Sequence, residues 1–461
     1  MAEDLHALSV AELTAAYRDR TLSPVEVTTS FLDRIERFDP ELHSFVAVTR
    51  DLALGQAVEA ERRYANGEHV DRLLGVPVSI KDAFHIKGVV TTLGSLVHQH
   101  QVAKTDSGVV RRLRASGAVF TGKTNTAEFG QSATTDNLLG PDTGNPWDVG
   151  RTPGGSSGGA AASVAAGLST LAVGSDGGGS IRIPAAFTGL VGLKPTAGLV
   201  HDERGFRAMT DFVSAGPLSR SVADARVMLG VLADRHYQRS TPRPGLRIGY
   251  CASPEGRPVD AGVAKSVEAA ARALEALGHQ VVEIDLPIGD WNDVFGPLVL
   301  DDEHRERGHL LGQYADKLTR YERSALRAAQ QLDPAAAQRA SELMPVFRAR
   351  VDDLFSAYDV LLTPTVAVPA FPLGERPSSV DGRAVDQLWG AFPFAVPFNV
   401  AGVPAASIPC GLADGLPVGA QLVSMAGSEA LLLDVCEQLE EALAFDQSMV
   451  LERWSGSRNE A

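Results

Sequence analysis

The chain has 461 residues, 44% hydrophobic and 21% charged, which is ordinary for a globular enzyme and enough to bury a large core. Its 57 acidic and 42 basic residues leave a formal net charge of −15, which opposes nucleic acid and anionic lipid because both select a net positive footprint. Three cysteines are too few and too scattered for a disulfide framework or a thiolate zinc site, and no run of about 18 apolar residues offers a membrane span.

The start, MAEDLHALSVAEL, has neither the basic nor the apolar stretch of a secretory leader, so a reducing cytoplasm is the expected location. Residues 1–70 read as helices. Ser9 with Glu12 and Ser23 with Glu26 fit capping boxes, Pro24 suits a first helical turn, and Val25, Phe31, Leu32 and Ile35 follow at helical spacing. LLGVPVSI, from Leu73, is a short apolar run with β-branched residues and reads as a buried strand. A helix over 106–116 and a strand over 118–122 come next, and the alternation continues past residue 200. This is the pattern of an α/β fold with a mixed or mostly parallel sheet. From Pro244 a second series begins: LRIGY and HQVVEIDL as strands flanking a helix over 261–277, then a charged, helix-rich stretch to 357. DVLLTPT, PAASIP and VGAQLV read as strands, and a helix over 428–444 closes the chain. With no repeat and no long polar linker, the expectation is one domain over 1–461, with a core at 71–245 and a helical excursion at 290–357.

The stretch 153–180 holds 15 Gly or Ser in 28 positions, yet AAASVAAGLSTLAVG in its middle is apolar enough to pack, which argues against a linker. Neither the P-loop pattern nor a dinucleotide fingerprint is present. Gly154 to Gly158 does satisfy G-x-S-x-G, the nucleophile elbow, but the preceding NPWDVGRTP is loop and not strand. The downstream His279, His304 and His309 stand in surface-like settings.

A different chemistry fits better. A serine hydroxyl needs an adjacent base, and a lysine serves only when neutral. Lys81 ends the apolar strand, where burial disfavours its ammonium form, and strand alternation sends Asp82 to the other face. Asp176-Gly177-Gly178-Gly179-Ser180 offers successive backbone N–H groups unobstructed by Cβ atoms, as an oxyanion hole requires.

These residues resemble the amidase signature family. GGSSGG, DGGGSIRIPAAF and GLVGLKPT stand in the family's order, with KTNTAEFG, NPWD and DVLLTPT also similar, over nearly the whole chain. The resemblance implies a single large α/β domain, its central mixed β-sheet covered by helices on both faces. It implies Ser180 as nucleophile, Ser156 as a bridging serine held by a cis peptide bond, and Lys81 as general base. It also implies an oxyanion hole from Gly177, Gly178, Gly179 and Ser180, loop support from Asp176 and Arg182, and no metal or organic cofactor. In one place the chain departs: the glutaminase chains of tRNA-dependent amidotransferases usually continue KPT with Tyr-Gly-Arg, and here KPT runs into AGLVHDERGF.

Substrate identity is not in these motifs. Candidate lining residues are Phe129, Gly130, Gln131 and Ser132, with the aromatics Phe206, Phe212, Trp291, Phe295, Trp389 and Phe392. The expected activity is hydrolysis of a small carboxamide, anilide or hydrazide. The alternatives are the glutaminase chain of a tRNA-dependent amidotransferase, and a non-catalytic binding scaffold. The expected partner is a small-molecule amide, with no nucleic acid, no membrane and, as assembly, a homodimer.

Overall fold

The computed structural model describes residues 5–68, 71–202, 209–240 and 244–455. In chain order the strands are β1 (Phe45–Val48), β2 (Pro77–Lys81), β3 (Val119–Thr124), β4 (Leu171–Asp176), β5 (Val191–Lys194), β6 (Ser214–Ser219), β7 (Arg247–Tyr250), β8 (Gln280–Glu283), β9 (Val360–Pro364), β10 (Ser379–Val380), β11 (Arg383–Ala384), β12 (Ala405–Ala413) and β13 (Leu416–Ser424). All but β10 and β11 join one 11-stranded sheet in the order β1-β3-β2-β4-β6-β5-β12-β13-β9-β7-β8. Pairing is parallel in β3-β2-β4 and in β9-β7-β8, where helices carry the chain back across the sheet, and antiparallel elsewhere.

The inner strands are buried on both faces, so their sequences lack a polar alternation. Their side chains still alternate between two cores. Leu171 and Val173 of β4 face helices Gly108–Ala115, Val222–Leu232, Ala261–Ala276 and Glu429–Leu443, while Ala172 faces Gly158–Ala165 and Arg182–Thr188. In β9, Val360 and Leu362 join the first of these cores, whereas Leu361 joins helices Trp291–Arg307 and Pro334–Ala357 of the helical excursion. The fold is the expected single α/β unit with a mixed sheet.

Three local expectations change. The segment read as wholly helical contains edge strand β1, whose four residues FVAV are too few to carry a period and pair with β3 across a bulge. Ser9 and Glu12 form the full capping box, but at the second site only half forms: Ser23 Oγ accepts from the Val25 and Glu26 N–H groups and donates to Glu61, and the Glu26 side chain makes no return bond to the Ser23 N–H. The β10–β11 hairpin, a two-residue pairing, gave no strand signal. Among the described residues no helix is long and apolar enough to cross a membrane.

Candidate active site

Strands β2 and β4 are parallel neighbours, so their C-terminal ends emerge together at one edge of the sheet. Lys81 is the last residue of β2; Asp176 ends β4 and leads through three glycines to Ser180. Ser156 arrives from the other side, in the turn before helix Gly158–Ala165, and the Gly155–Ser156 peptide bond is cis.

Lys81 is fully buried, with Nζ 2.7 Å from Ser156 Oγ, 2.9 Å from Ser175 Oγ and 3.5 Å from the Ser175 carbonyl. Burial drives its pKa down from 10.5 to about 7, against a weaker opposing pull from Asp176. Among the described residues no carboxylate pairs with it. Asp82 points away, as strand alternation requires, into an ion pair with buried Lys123 and hydrogen bonds from Thr92. A neutral lysine amine has two N–H donors and one lone pair. The two Ser175 oxygens match the donors and leave the lone pair for the Ser156 hydroxyl proton. Ser180 is 8% exposed, and its carbonyl accepts the Ser157 N–H at 3.2 Å. Among the described residues no hydrogen bond joins Ser156 and Ser180; in unliganded enzymes such contacts are commonly long and tighten when substrate binds.

The glycine loop is braced from within. Arg182 Nε and Nη2 grip the Asp176 carboxylate as a fork, each at 2.9 Å, with both side chains fully buried. Arg182 Nη1 donates to Gln421 and the Ala395 carbonyl, and Nη2 also to Asn399. Burial alone raises the Asp176 pKa, but the Arg182 charge, with hydrogen bonds from Arg182 and Asn399, outweighs it and holds the carboxyl well below its ordinary range. Breaking such a pair strands a buried charge. Arg182→Met is therefore expected to cost about 3–5 kcal/mol of stability, read from urea unfolding. A loss under about 1 kcal/mol would mean that the loop holds without its brace.

This brace corrects the expected oxyanion hole. The Gly179 N–H donates to Asp176 Oδ1 at 2.7 Å and is already spent. Gly179 is instead needed for its backbone: φ is +110°, and a Cβ there would lie 2.7 Å from Ile183 Cδ1 and 2.8 Å from Ala395 Cβ. The N–H groups of Gly177, Gly178 and Ser180 have no acceptor among the described residues.

The other candidates divide. Phe129, at φ +50°, is buried with Leu310, Leu318 and Leu326 under the Arg307 guanidinium, so it packs the helical excursion onto the core rather than lining the site. Gly130 belongs to the same short helical turn. Gln131 donates to Glu303, and Ser132 bonds Thr134 and Arg376. Phe212, Trp291, Phe295 and Trp389 converge, with ring centroids 5.1–6.1 Å apart. This wall faces the loop: a Cβ on Gly178 would stand 3.3 Å from Phe295 Cζ and 3.8 Å from Trp389 Cη2. Phe392 packs elsewhere, on Phe187 and Phe371, and Phe206 lies outside the described residues.

Sequence reasoning missed Ser175, Ser157, Asn399 and Gln421. Ser157 ties its helix to β4 through both backbone groups of Ser175. For Ser175, Asn399 and Gln421 a signal existed, since each is a polar residue inside or at the end of an apolar run, and such residues are buried only with partners. Which partners they meet depends on strands and turns far apart in the chain.

A model of the amidase family matches residues 26–433. The A-type subunit of glutamyl-tRNA(Gln) amidotransferase from Carboxydothermus hydrogenoformans is 34% identical over 96% of this chain and 99% of its own. Its counterpart from Thermosynechococcus vestitus is 36% identical over 92% and 96%. Among solved structures, a bacterial aryl acylamidase of the amidase signature family superposes with a TM-score of 0.86 at 29% identity, over 97% of this chain and 98% of that one. These relatives overturn the expected partners, a small-molecule amide with no nucleic acid and a homodimer as assembly: curated proteins matching almost end to end are subunits of an enzyme named for a tRNA. The net charge of one chain does not describe an assembly, and the three-residue departure after KPT is small against a match that covers 96% of the chain at 34% identity. Family match, fold and the Lys81–Ser156 contact lead to one conclusion: this chain belongs to the amidase signature family, enzymes acting on amide C–N bonds.

Proposed function

We propose that Ser180 is the nucleophile of an amide C–N hydrolysis, with Ser156 as proton bridge and Lys81 as general base. The observation that carries this is the 2.7 Å contact between Ser156 Oγ and a lysine that burial has brought to about 7 with no paired carboxylate among the described residues. Ser180 Oγ bonds to the substrate carbonyl carbon while its proton passes to Ser156 Oγ and the Ser156 proton to Lys81 Nζ. The oxyanion forms against the Gly177, Gly178 and Ser180 N–H groups, where one critical donor contributes about 3 kcal/mol. The relay then reverses. The leaving nitrogen takes the proton as its C–N bond breaks, because an amide anion is too basic to depart alone. Water attacks the acyl-enzyme through the same relay and releases the acid.

The relatives, subunits A of an enzyme named glutamyl-tRNA(Gln) amidotransferase, favour the glutaminase reading, in which the amide is the carboxamide of glutamine and partner subunits are required. A second reading rests on one observation, the aromatic wall against Gly178, which suits an aryl or alkyl acyl group better than a charged amino acid. Ammonia and amine release from glutamine, anilides, hydrazides and ureas separates the two, with Ser180→Ala as blank and each assay repeated with co-purified chains. Glutamine turnover that rises with partner chains supports the first reading. Turnover confined to apolar amides supports the second. No release from any, with Ser180 unlabelled by a phosphonate, sinks both.

A further inference from the structure

We propose that Arg376 is a positioning residue that sets which acyl groups reach Ser180, by fastening the two walls of the site to each other. It rests on Ser180 being the nucleophile and on the acyl group lying against Gly178 and Trp389.

Around this residue the chain makes an excursion through a short hairpin and returns. Its departure is anchored where Pro372 bridges to Arg151 and the Leu373 N–H donates to the Gly150 carbonyl at 3.0 Å. The β10–β11 hairpin follows, and the chain comes back as Asp386 to Trp389, where Asp386 Oδ1 accepts the N–H groups of Leu388 at 3.0 Å and Trp389 at 2.6 Å. Arg376 spans this excursion. Its Nη1 donates to the carbonyls of Gln387 at 3.3 Å and Leu388 at 3.5 Å, immediately before Trp389. Its Nη2 donates to Ser132 Oγ at 2.6 Å and Thr134 Oγ1 at 3.3 Å.

Each end of this clamp reaches the chemistry through one more contact. Trp389 stands over Gly178, whose N–H belongs to the proposed oxyanion cradle. The Thr134 backbone lies so close to Gly155 that a Cβ there would fall 2.4 Å from the Thr134 carbonyl oxygen, and Gly155 carries the peptide of Ser156. The guanidinium also lies 5.7 Å from the Tyr321 ring, on helix Arg320–Gln330. Among the described residues no carboxylate comes within ion-pair range of Arg376, so its four hydrogen bonds go to neutral oxygens. They fix a geometry rather than neutralise a charge. A planar fork can hold two walls at once, and a lysine ammonium, a single point donor, cannot reproduce it.

The test reads the rate at which Ser180 is labelled by two fluorophosphonates, one with a small alkyl group and one with a bulky aryl-alkyl group, followed by mass spectrometry of the intact full-length chain. In Arg376→Ala the bulky probe is expected to slow roughly tenfold, since a misplacement of about 1 Å costs up to about 10²-fold, while the small probe stays within about twofold. Added guanidinium ion should restore the bulky probe in Arg376→Ala, and Arg376→Lys should remain slow. Trp389→Ala should show the same selective loss without guanidinium rescue. Equal slowing of both probes, an unchanged ratio, or rescue by the lysine variant overturns the role of Arg376 alone. Failure of both probes to label wild-type Ser180 removes the nucleophile reading and this proposal with it.

Discussion

Ser180→Ala and Lys81→Ala are each expected to lower kcat/KM by at least about 10⁴-fold, and the double variant by no more than the worse single one. The reason is that in the proposed relay they act as one device. Without Lys81 no group accepts the Ser156 proton: Asp82 is bound to Lys123 and Thr92, and Asp176 to Arg182 and Asn399. Without Ser180 the relay has nothing to deprotonate. Activity left in either single variant comes from the amide cradle and binding, which both variants keep, so the second substitution removes nothing further. The check is kcat/KM for the best substrate of the amide panel in the three variants. Losses that multiply would assign Lys81 and Ser180 independent roles and dissolve the relay.

The second large effect is on pH. In the proposed mechanism the active form is the neutral amine, and burial brings Lys81 to about 7. Below that pH, kcat/KM should fall about tenfold per unit; above it, the profile should level off. Lys194 is also buried and also brought to about 7, by burial and the repulsion of Arg182, but its Nζ donates to the Pro195 carbonyl and touches no reacting group. Lys194→Met should therefore keep the limb, and its loss there would assign the titration to the wrong lysine. Stability carries a second signature of the same group. The folded pKa lies below the unfolded 10.5, so between about 7 and 10.5 the unfolded chain holds more protons, and stability rises with pH across that window. Lys81→Met, free of that cost, should unfold at higher urea than wild type at pH 7, with the gain fading as pH approaches 10.5. A gain independent of pH would mean that Lys81 titrates normally.

Much of this site is legible in the sequence, for local reasons. LLGVPVSI ending in Lys81 predicts a buried strand with a desolvated amine at its tip, and β2 is that strand. Period two sends Asp82 away from Lys81, and it does point elsewhere. The DGGGS run announces a backbone too crowded for Cβ atoms, and Gly179 bears this out with its positive φ against Ile183 and Ala395. The expectations that failed involve competition between groups. Nothing in DGGGS says that Asp176 will claim the Gly179 N–H, because that follows from where Arg182 holds the carboxylate. Phe129 sits in a motif shared with the family, yet helices about 180 residues downstream decide that it packs under Arg307.

By itself, then, the sequence determined a serine pair in glycine turns, a lysine at the end of an apolar strand, and a family whose model matches residues 26–433. These are properties of short segments, whose backbone freedom and burial are written in neighbouring residues. Tertiary structure alone decided which N–H donors of the glycine loop have no acceptor among the described residues. It also gathered Phe212, Trp291, Phe295 and Trp389 into one wall and joined Arg376 to Ser132 across 244 residues. Such contacts depend on strand order and on loops that meet only when the sheet is complete, and no period or spacing in a linear chain encodes a distance between its far parts.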